Sequence, residues 1–175
     1  MEIIRCVDEL KRLMSTLASD KIVCIEGCLG SGKSPLASAI SLRPCRSVLR
    51  IDCFARRRTT EEKFPELVDV QRLNVSIRQA APNLIVEGVL ARKLIDSNVL
   101  AGAYFIYVKR LRAVGGLWHY GLSLDDERDG QFPYDEVWDY HHQYKPHECA
   151  DVTFEFDDRS LDRVVRGGGH PVNSD

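Results

Sequence analysis

The chain has 175 residues, of which 44% are hydrophobic and 29% charged, as expected for one globular domain with a substantial core. The net charge of −2 argues against a surface whose main partner is nucleic acid. The longest apolar run, residues 99–108, is too short to span a bilayer and fits a buried strand. We expect one domain over residues 1–166 and a flexible C-terminal tail over 167–175.

The predicted elements alternate between helices and strands. Residues 2–18 place apolar side chains on one helical face, which predicts an amphipathic first helix. Strands are predicted near 21–26, 47–51, 84–86, 103–108 and 151–156. Helices are predicted up to about 42, then near 67–80, 90–96, just after 108, 134–144 and 160–166. This alternation predicts an α/β fold, a parallel sheet with helices on both faces.

The cysteines do not form a disulfide framework. They show no C-x-x-C pair and no regular spacing, and they are Cys6, Cys24, Cys28, Cys45, Cys53 and Cys149. The first turns contain charged residues and do not resemble a secretory signal. We therefore expect reduced thiols and a cytoplasmic protein.

Residues 27–34 form the most informative segment of the chain. They read G-x-x-x-x-G-K-S, the P-loop signature, and are Gly27, Cys28, Leu29, Gly30, Ser31, Gly32, Lys33 and Ser34. Glycines let backbone N–H groups form an anion nest, Lys33 adds a charge at the β- and γ-phosphates, and Ser34 offers a hydroxyl to Mg²⁺. A predicted strand precedes the loop and a predicted helix follows it, which aims a helix N-terminus at phosphate. The segment predicts binding of ATP with Mg²⁺.

Two acidic residues follow predicted strands. In parallel α/β sheets, ligands bind at the carboxyl ends of the strands. Asp52 follows the second strand of the predicted sheet, where it favours a general-base or metal role over a simple turn residue. Glu87 follows the third strand, where it favours a Walker-B-like acid acting on Mg²⁺ over a helix cap. Ser34, Asp52 and Glu87 are thus the candidate metal-binding residues.

The chain resembles the uridine kinase branch of the P-loop kinases over most of residues 20–156. The similarity rests on the P-loop, on Ile51-Asp52-Cys53-Phe54, on Ile85-Val86-Glu87-Gly88, on Phe105-Ile106-Tyr107-Val108 and on Tyr144-Lys145-Pro146. It implies a five-stranded sheet in the order 2-3-1-4-5 and transfer of phosphate from ATP to a hydroxyl, such as that of a nucleoside. It also implies that Asp52 activates the acceptor and touches Mg²⁺, and that Glu87 completes the metal site. Arg110 and Arg112, at the start of a lid helix, would clamp the phosphates and act with Lys33 in catalysis.

The chain departs from that family in three places. The lid segment 110–116 is poorer in arginine and richer in glycine, and the hairpin that encloses the nucleoside is absent. Pro35 follows the P-loop serine and removes an amide that usually faces the α-phosphate. These departures leave the acceptor open.

Two alternatives to a kinase remain at this point: a P-loop ATPase or switch without a small-molecule acceptor, and a nucleic-acid-dependent ATPase, which the charge disfavours. No N-K-x-D motif supports a GTPase. His141, His142 and His147 match no standard zinc spacing. Neither the acceptor nor the oligomeric state follows from the sequence, and Arg128 is a second candidate for the phosphate-clamping arginine.

Overall fold

A parallel β-sheet forms the centre of the molecule. The computed structural model describes residues 2–18, 20–41, 46–57, 62–111 and 134–157. Within these ranges the sheet has six strands, all paired in parallel, in the order β1-β6-β5-β2-β4-β3. The strands are β1 (Glu2–Ile4), β2 (Val23–Gly27), β3 (Ser47–Arg50), β4 (Leu84–Glu87), β5 (Tyr104–Leu111) and β6 (Val152–Asp157).

Helices connect most of the strands. They are α1 (Val7–Thr16), α2 (Lys33–Ser41), α3 (Phe64–Leu67), α4 (Val70–Ala80), α5 (Ala91–Leu94), α6 (Ser97–Leu100) and α7 (Tyr134–Tyr144). A short 3₁₀ turn, Ile51–Phe54, follows β3 directly. In the described part of the chain, no helix combines the length and apolar character needed to cross a membrane.

The sheet has one strand more than the five expected. Residues 2–4 pair with β6 and bury Ile4, so the first helix begins at Val7 rather than near residue 2. A three-residue strand leaves no periodic pattern of its own, because its pairing depends on β6, some 150 residues away. Without β1, the order β3-β4-β2-β5-β6 is the 2-3-1-4-5 arrangement that the resemblance implies.

Both faces of the sheet are buried, as expected for parallel strands covered by helices. On β2, Val23 and Ile25 face a core that α1 and α2 complete with residues such as Leu10 and Leu36. Cys24 points to the other core, which α4, α5 and α7 cover with residues that include Leu73, Ile77, Leu94 and Tyr140. Side chains of successive residues therefore reach opposite layers, and Glu26 faces the same side as Cys24.

The helix predicted over 67–80 is α4, which begins later, at Val70, and has a capping residue before its first turn. Asp69 is the N-cap, and its Oδ1 accepts a hydrogen bond from the backbone N of Arg72 at 2.9 Å. That bond satisfies one of the free amides at a helix start. The predicted helix over 134–144 matches α7. The predicted helix over 160–166 and the tail lie outside the described residues.

The strand β5 is longer than predicted. It continues to Leu111, paired with β6 throughout, so Arg110 lies in the strand and not at the start of a lid helix. Residues 112–133, including Arg112 and Arg128, lie outside the described residues.

Candidate functional site

The loop between β2 and α2 requires glycine at its first position. Gly27 has φ +154°, and a Cβ there would lie 2.6 Å from the Val108 carbonyl oxygen and 2.7 Å from Ser31 Oγ. Gly32 has φ +90°, a conformation that side chains rarely tolerate. The helix α2 starts at the next residue, so its N-terminal amides open on the loop. This is the geometry of an anion-binding nest.

Lys33, the first residue of α2, is buried against this loop. Its residue is 8% exposed, and Nζ donates a hydrogen bond to the Cys28 carbonyl oxygen at 2.6 Å. Burial lowers the pKa of Lys33, while the nearby Cys28, Glu87 and Asp52 act in the opposite direction. The ammonium group is thus held in the nest by the backbone, within electrostatic reach of both candidate acids.

Glu87 meets the P-loop directly. Its side chain is 3% exposed, and Oε1 accepts a hydrogen bond from Ser34 Oγ at 2.7 Å. The pairing of β2 with β4 brings the two residues together, since Ile25 and Glu87 are register partners. The structure therefore places the predicted Walker-B-like acid beside the predicted Mg²⁺-binding hydroxyl.

Asp52 lies on the 3₁₀ turn that follows β3, and its side chain is exposed. It is close enough to Lys33 for its charge to raise the pKa of that ammonium. Gly88 keeps the turn close to β4, because a Cβ on Gly88 would lie 2.8–3.0 Å from side-chain atoms of Ile51. The two acids thus lie at the same edge of the sheet as the P-loop.

Arg110 also reaches the P-loop, although from a strand. Its Nη1 donates a hydrogen bond to the Gly30 carbonyl oxygen at 3.1 Å. Gly27, where the loop starts, is the register partner of Val108, so Arg110 lies two residues further along β5. A guanidinium is therefore present at the mouth of the nest.

The sequence did not predict the pairing of Arg50 with Glu87. Arg50 ends β3, and its Nε lies 3.2 Å from Glu87 Oε1, the oxygen that Ser34 also contacts. Arg50 and Glu87 are register partners in the β3–β4 pair. The available signal was an arginine and a glutamate at the ends of two strands that the resemblance makes neighbours.

A buried polar network lies under the P-loop on the α7 side. Glu26 is 1% exposed, and its Oε2 lies 2.8 Å from Arg92 Nε. Tyr140 donates its hydroxyl proton to Glu26 Oε1 and accepts a hydrogen bond from the backbone N of Arg92 at 3.1 Å. The Arg92 guanidinium lies 3.8 Å from the ring centre of Phe105. Burial raises the pKa of Tyr140, and the Glu26 charge raises it further.

A second network joins α7 to the loop itself. His141 Nδ1 lies 2.6 Å from the Val137 carbonyl oxygen and carries the proton, so Nε2 accepts from the Tyr107 hydroxyl at 2.8 Å. Cys28 Sγ lies 3.7 Å from both the Tyr107 hydroxyl and His141 Nε2. Burial lowers the pKa of His141 to about 4. A neutral histidine therefore contacts a P-loop residue.

The other histidines near the end of α7 have different neighbours. The rings of His142 and Trp138 are tilted by 37° with their centres 3.7 Å apart, and the ring of His147 lies 6.0 Å from that of His141. Among the residues that the structure describes, no group of three or more histidine, cysteine or acidic side chains could hold a metal ion. Mg²⁺ bound through phosphates, water and one or two carboxylates requires no such group.

The fold is shared with a protein of known structure. A possible uridine kinase from Bacillus stearothermophilus matches 85% of this chain and 96% of its own, with a TM-score of 0.54 and 18% sequence identity. The chain has a P-loop kinase fold. An unliganded sugar kinase from Janibacter sp. HTCC2649 gives a TM-score of 0.42 at 16% identity, covering 85% of this chain and 91% of the other. No protein-family model and no curated protein matches the sequence.

This P-loop kinase fold explains which residues converge. Its parallel strands end at one edge, where the described residues place Lys33, Ser34, Asp52, Glu87 and Arg110. Arg112 lies outside the described residues. The site thus unites a phosphate-binding nest, two carboxylates and two additional cations, Arg50 among them.

Proposed function

We propose that this protein is an ATP-dependent kinase that phosphorylates a hydroxyl group of a small molecule. The observation that supports this best is the contact of 2.7 Å between Ser34 Oγ and Glu87 Oε1 at the P-loop. The charge of Asp52 also acts on the P-loop lysine, Lys33, and raises its pKa. One acid, Glu87, then lies beside the P-loop serine, and a second acid, Asp52, is exposed to solvent near the P-loop lysine. A pure nucleotide-binding module needs no second acid.

The oxygen atoms at this edge fit Mg²⁺. Ser34 supplies a hydroxyl and Glu87 a buried carboxylate already directed at it, while Asp52 supplies an exposed carboxylate. Mg²⁺ prefers hard oxygen ligands and usually retains several waters and phosphate oxygens, so few protein ligands suffice. When bound, the ion would neutralise charge on the β- and γ-phosphates. We infer that Ser34 and Glu87 hold it, with Asp52 contributing directly or through water.

The remaining residues of the site divide the work of the transfer. The acceptor oxygen forms a bond to the γ-phosphorus, the bond between that phosphorus and the β,γ-bridging oxygen breaks, and ADP leaves. Asp52 accepts the proton that the acceptor hydroxyl loses. Lys33 and Arg110 stabilise the charge on the transferring phosphoryl group, and Arg112 joins them from the lid segment.

A nucleoside is the first acceptor to test. The resemblance to uridine kinases and the structural likeness to a possible uridine kinase both support it. The altered lid segment argues for including sugars and other polyols in the panel. ATP is the proposed donor, and neither nucleic acid nor a membrane is a required partner.

Turnover of ATP with and without acceptors tests the proposal. Purified protein with Mg²⁺ and ATP is incubated with each nucleoside, sugar and polyol, and both ADP and phosphorylated product are quantified. We expect product formation with one acceptor class and little ATP hydrolysis without it. Steady ATP hydrolysis that no acceptor changes would favour the ATPase or switch, and stimulation by RNA or DNA the nucleic-acid-dependent enzyme. Absence of ATP binding would exclude all three.

A further inference from the structure

Glu87 is a buried carboxylate that needs a counter-charge before any ligand is bound. Its side chain is 3% exposed, and leaving an ionised carboxylate unpaired at such a position is costly. Lys33, the obvious candidate, directs its ammonium to the Cys28 carbonyl at 2.6 Å. The cation that contacts Glu87 is Arg50, with Nε 3.2 Å from Oε1.

The contact between Arg50 and Glu87 is part of the sheet. The two residues are register partners on adjacent parallel strands, and each is the last residue of its strand. The close packing of Gly88 against Ile51, the residues that follow them, keeps the two strand ends together. The sheet therefore holds the backbones of the two residues side by side.

The same carboxylate oxygen serves two donors. Oε1 of Glu87 accepts from Ser34 Oγ at 2.7 Å and lies 3.2 Å from Arg50 Nε. A divalent cation held by Ser34 and Glu87 must share that carboxylate with a guanidinium. Arg50 offsets the negative charge that attracts Mg²⁺, and the same positive charge favours a triphosphate that arrives without metal.

We propose that Arg50 is a resident counter-cation of Glu87 that sets how strongly nucleotide binding depends on Mg²⁺. This inference rests on the proposed binding of ATP at the P-loop. It assigns Arg50 a positioning role, because the arginine acts through Glu87. Half of the Arg50 side chain is exposed, 48%, so it can move aside when the metal binds.

The test uses Arg50→Gln and measures ATP binding by calorimetry, once in EDTA and once over a series of Mg²⁺ concentrations. Loss of the guanidinium should weaken metal-free ATP binding by about two- to tenfold. It should also lower, by a similar factor, the Mg²⁺ concentration at which half of the Mg²⁺-dependent increase in ATP affinity is reached. The opposite signs separate this role from general damage, which would weaken binding in both conditions. Arg50→Lys keeps the charge and should stay close to the wild type.

The matched control is Arg78→Gln. Arg78 has similar exposure, 54%, and pairs with Asp96 at 2.7 Å, but it lies in the last turn of α4, before β4 begins. This control should leave both measurements unchanged. An unchanged Mg²⁺ midpoint in Arg50→Gln, or a loss of affinity with and without metal, would overturn the inference while the kinase proposal stands. Failure of the wild-type protein to bind ATP would remove both.

Discussion

The hydroxyl group of Tyr107 lies 2.8 Å from Nε2 of His141, and both side chains are buried. Tyr107 is on β5 and His141 on α7, so this bond joins the sheet to that helix. Cys28 of the P-loop lies 3.7 Å from each of the two groups. The P-loop therefore packs, through Cys28, against a hydrogen bond between β5 and α7.

Tyr107→Phe should lower the free energy of unfolding. The change removes the hydroxyl donor and leaves the buried Nε2 of His141 with only the weaker Cys28 thiol at 3.7 Å, which costs about 1–3 kcal/mol. Equilibrium unfolding in urea measures the loss. Tyr104→Phe, on the same strand but only partly buried, is the control and should change stability by less than about 0.5 kcal/mol. Equal stability of both variants would mean that the Tyr107–His141 bond contributes nothing net.

The stability of the protein should fall on acidification between about pH 6.5 and pH 4. Burial lowers the pKa of His141 from 6.5 to about 4, with smaller contributions of the same sign from His147, Lys33 and His142. Between these values the unfolded chain binds the proton and the folded chain does not, so stability rises with pH there and levels off above the unfolded pKa. The shift corresponds to about 3 kcal/mol.

The difference between wild type and His141→Gln isolates this term. Glutamine does not titrate and its amide oxygen can accept from Tyr107. We expect the pH dependence of unfolding between pH 4 and 6.5 to become shallower in the variant, since the carboxylates titrate in both proteins. Parallel curves would show that His141 is protonated with its ordinary pKa in the folded state.

Asp52→Asn should reduce phosphoryl transfer by about 10²–10⁴-fold, the usual size of general-base catalysis. The substitution preserves the shape and removes the charge and most of the basicity. Initial rates with the acceptor that the panel selects are the measurement, and Asp8→Asn, at an exposed position on α1, is the control. If ATP binding is unchanged, Asp52 acts chiefly as the base; if its Mg²⁺ dependence changes, as a metal ligand. Near-normal transfer would leave Glu87 as the remaining candidate acid among the described residues of the site.

Arg110→Ala should lower kcat more than it raises the KM for ATP. The guanidinium donates to the Gly30 carbonyl at 3.1 Å and so lies at the mouth of the nest, where charge accumulates during transfer. Steady-state kinetics over a range of ATP concentrations separates the two constants. Arg72→Ala, an exposed arginine on α4, should leave both unchanged. A change confined to KM would assign Arg110 to ground-state binding and shift the catalytic role to Arg112 or Arg128.

The sequence predicted the elements with strong local signals. The P-loop, the strand ending in Glu87 and the helix 134–144 were each visible as a motif, an apolar run or a periodic pattern. The sheet order came from the resemblance to uridine kinases, and it is confirmed for five of the six strands. Strand β1 was missed because its three residues owe their conformation to β6.

The buried polar pairs could not be predicted for a different reason. Glu26 reads as an ordinary charged residue before a glycine, and nothing local connects it to Arg92 or Tyr140. Arg110 was placed at the start of a lid helix because the resemblance to uridine kinases implies such a helix after that strand. Pairing with Glu155 and its neighbours on β6 extends β5 through these positions instead. Such outcomes depend on contacts between residues far apart in the chain.

Arg92 has a consequence for how the protein folds. Its side chain contacts Glu26 at the end of β2 and donates to the Cys149 carbonyl at 3.2 Å, and its backbone donates to Tyr140. The contact of Glu26 with Tyr140 spans 114 residues of chain. Closing so long a loop costs conformational entropy, so we expect this contact to form late in folding. The network of Glu26, Arg92 and Tyr140 is therefore complete only after α7 has been synthesised. A ribosome-bound fragment that ends before α7 would contain the P-loop motif but not this network.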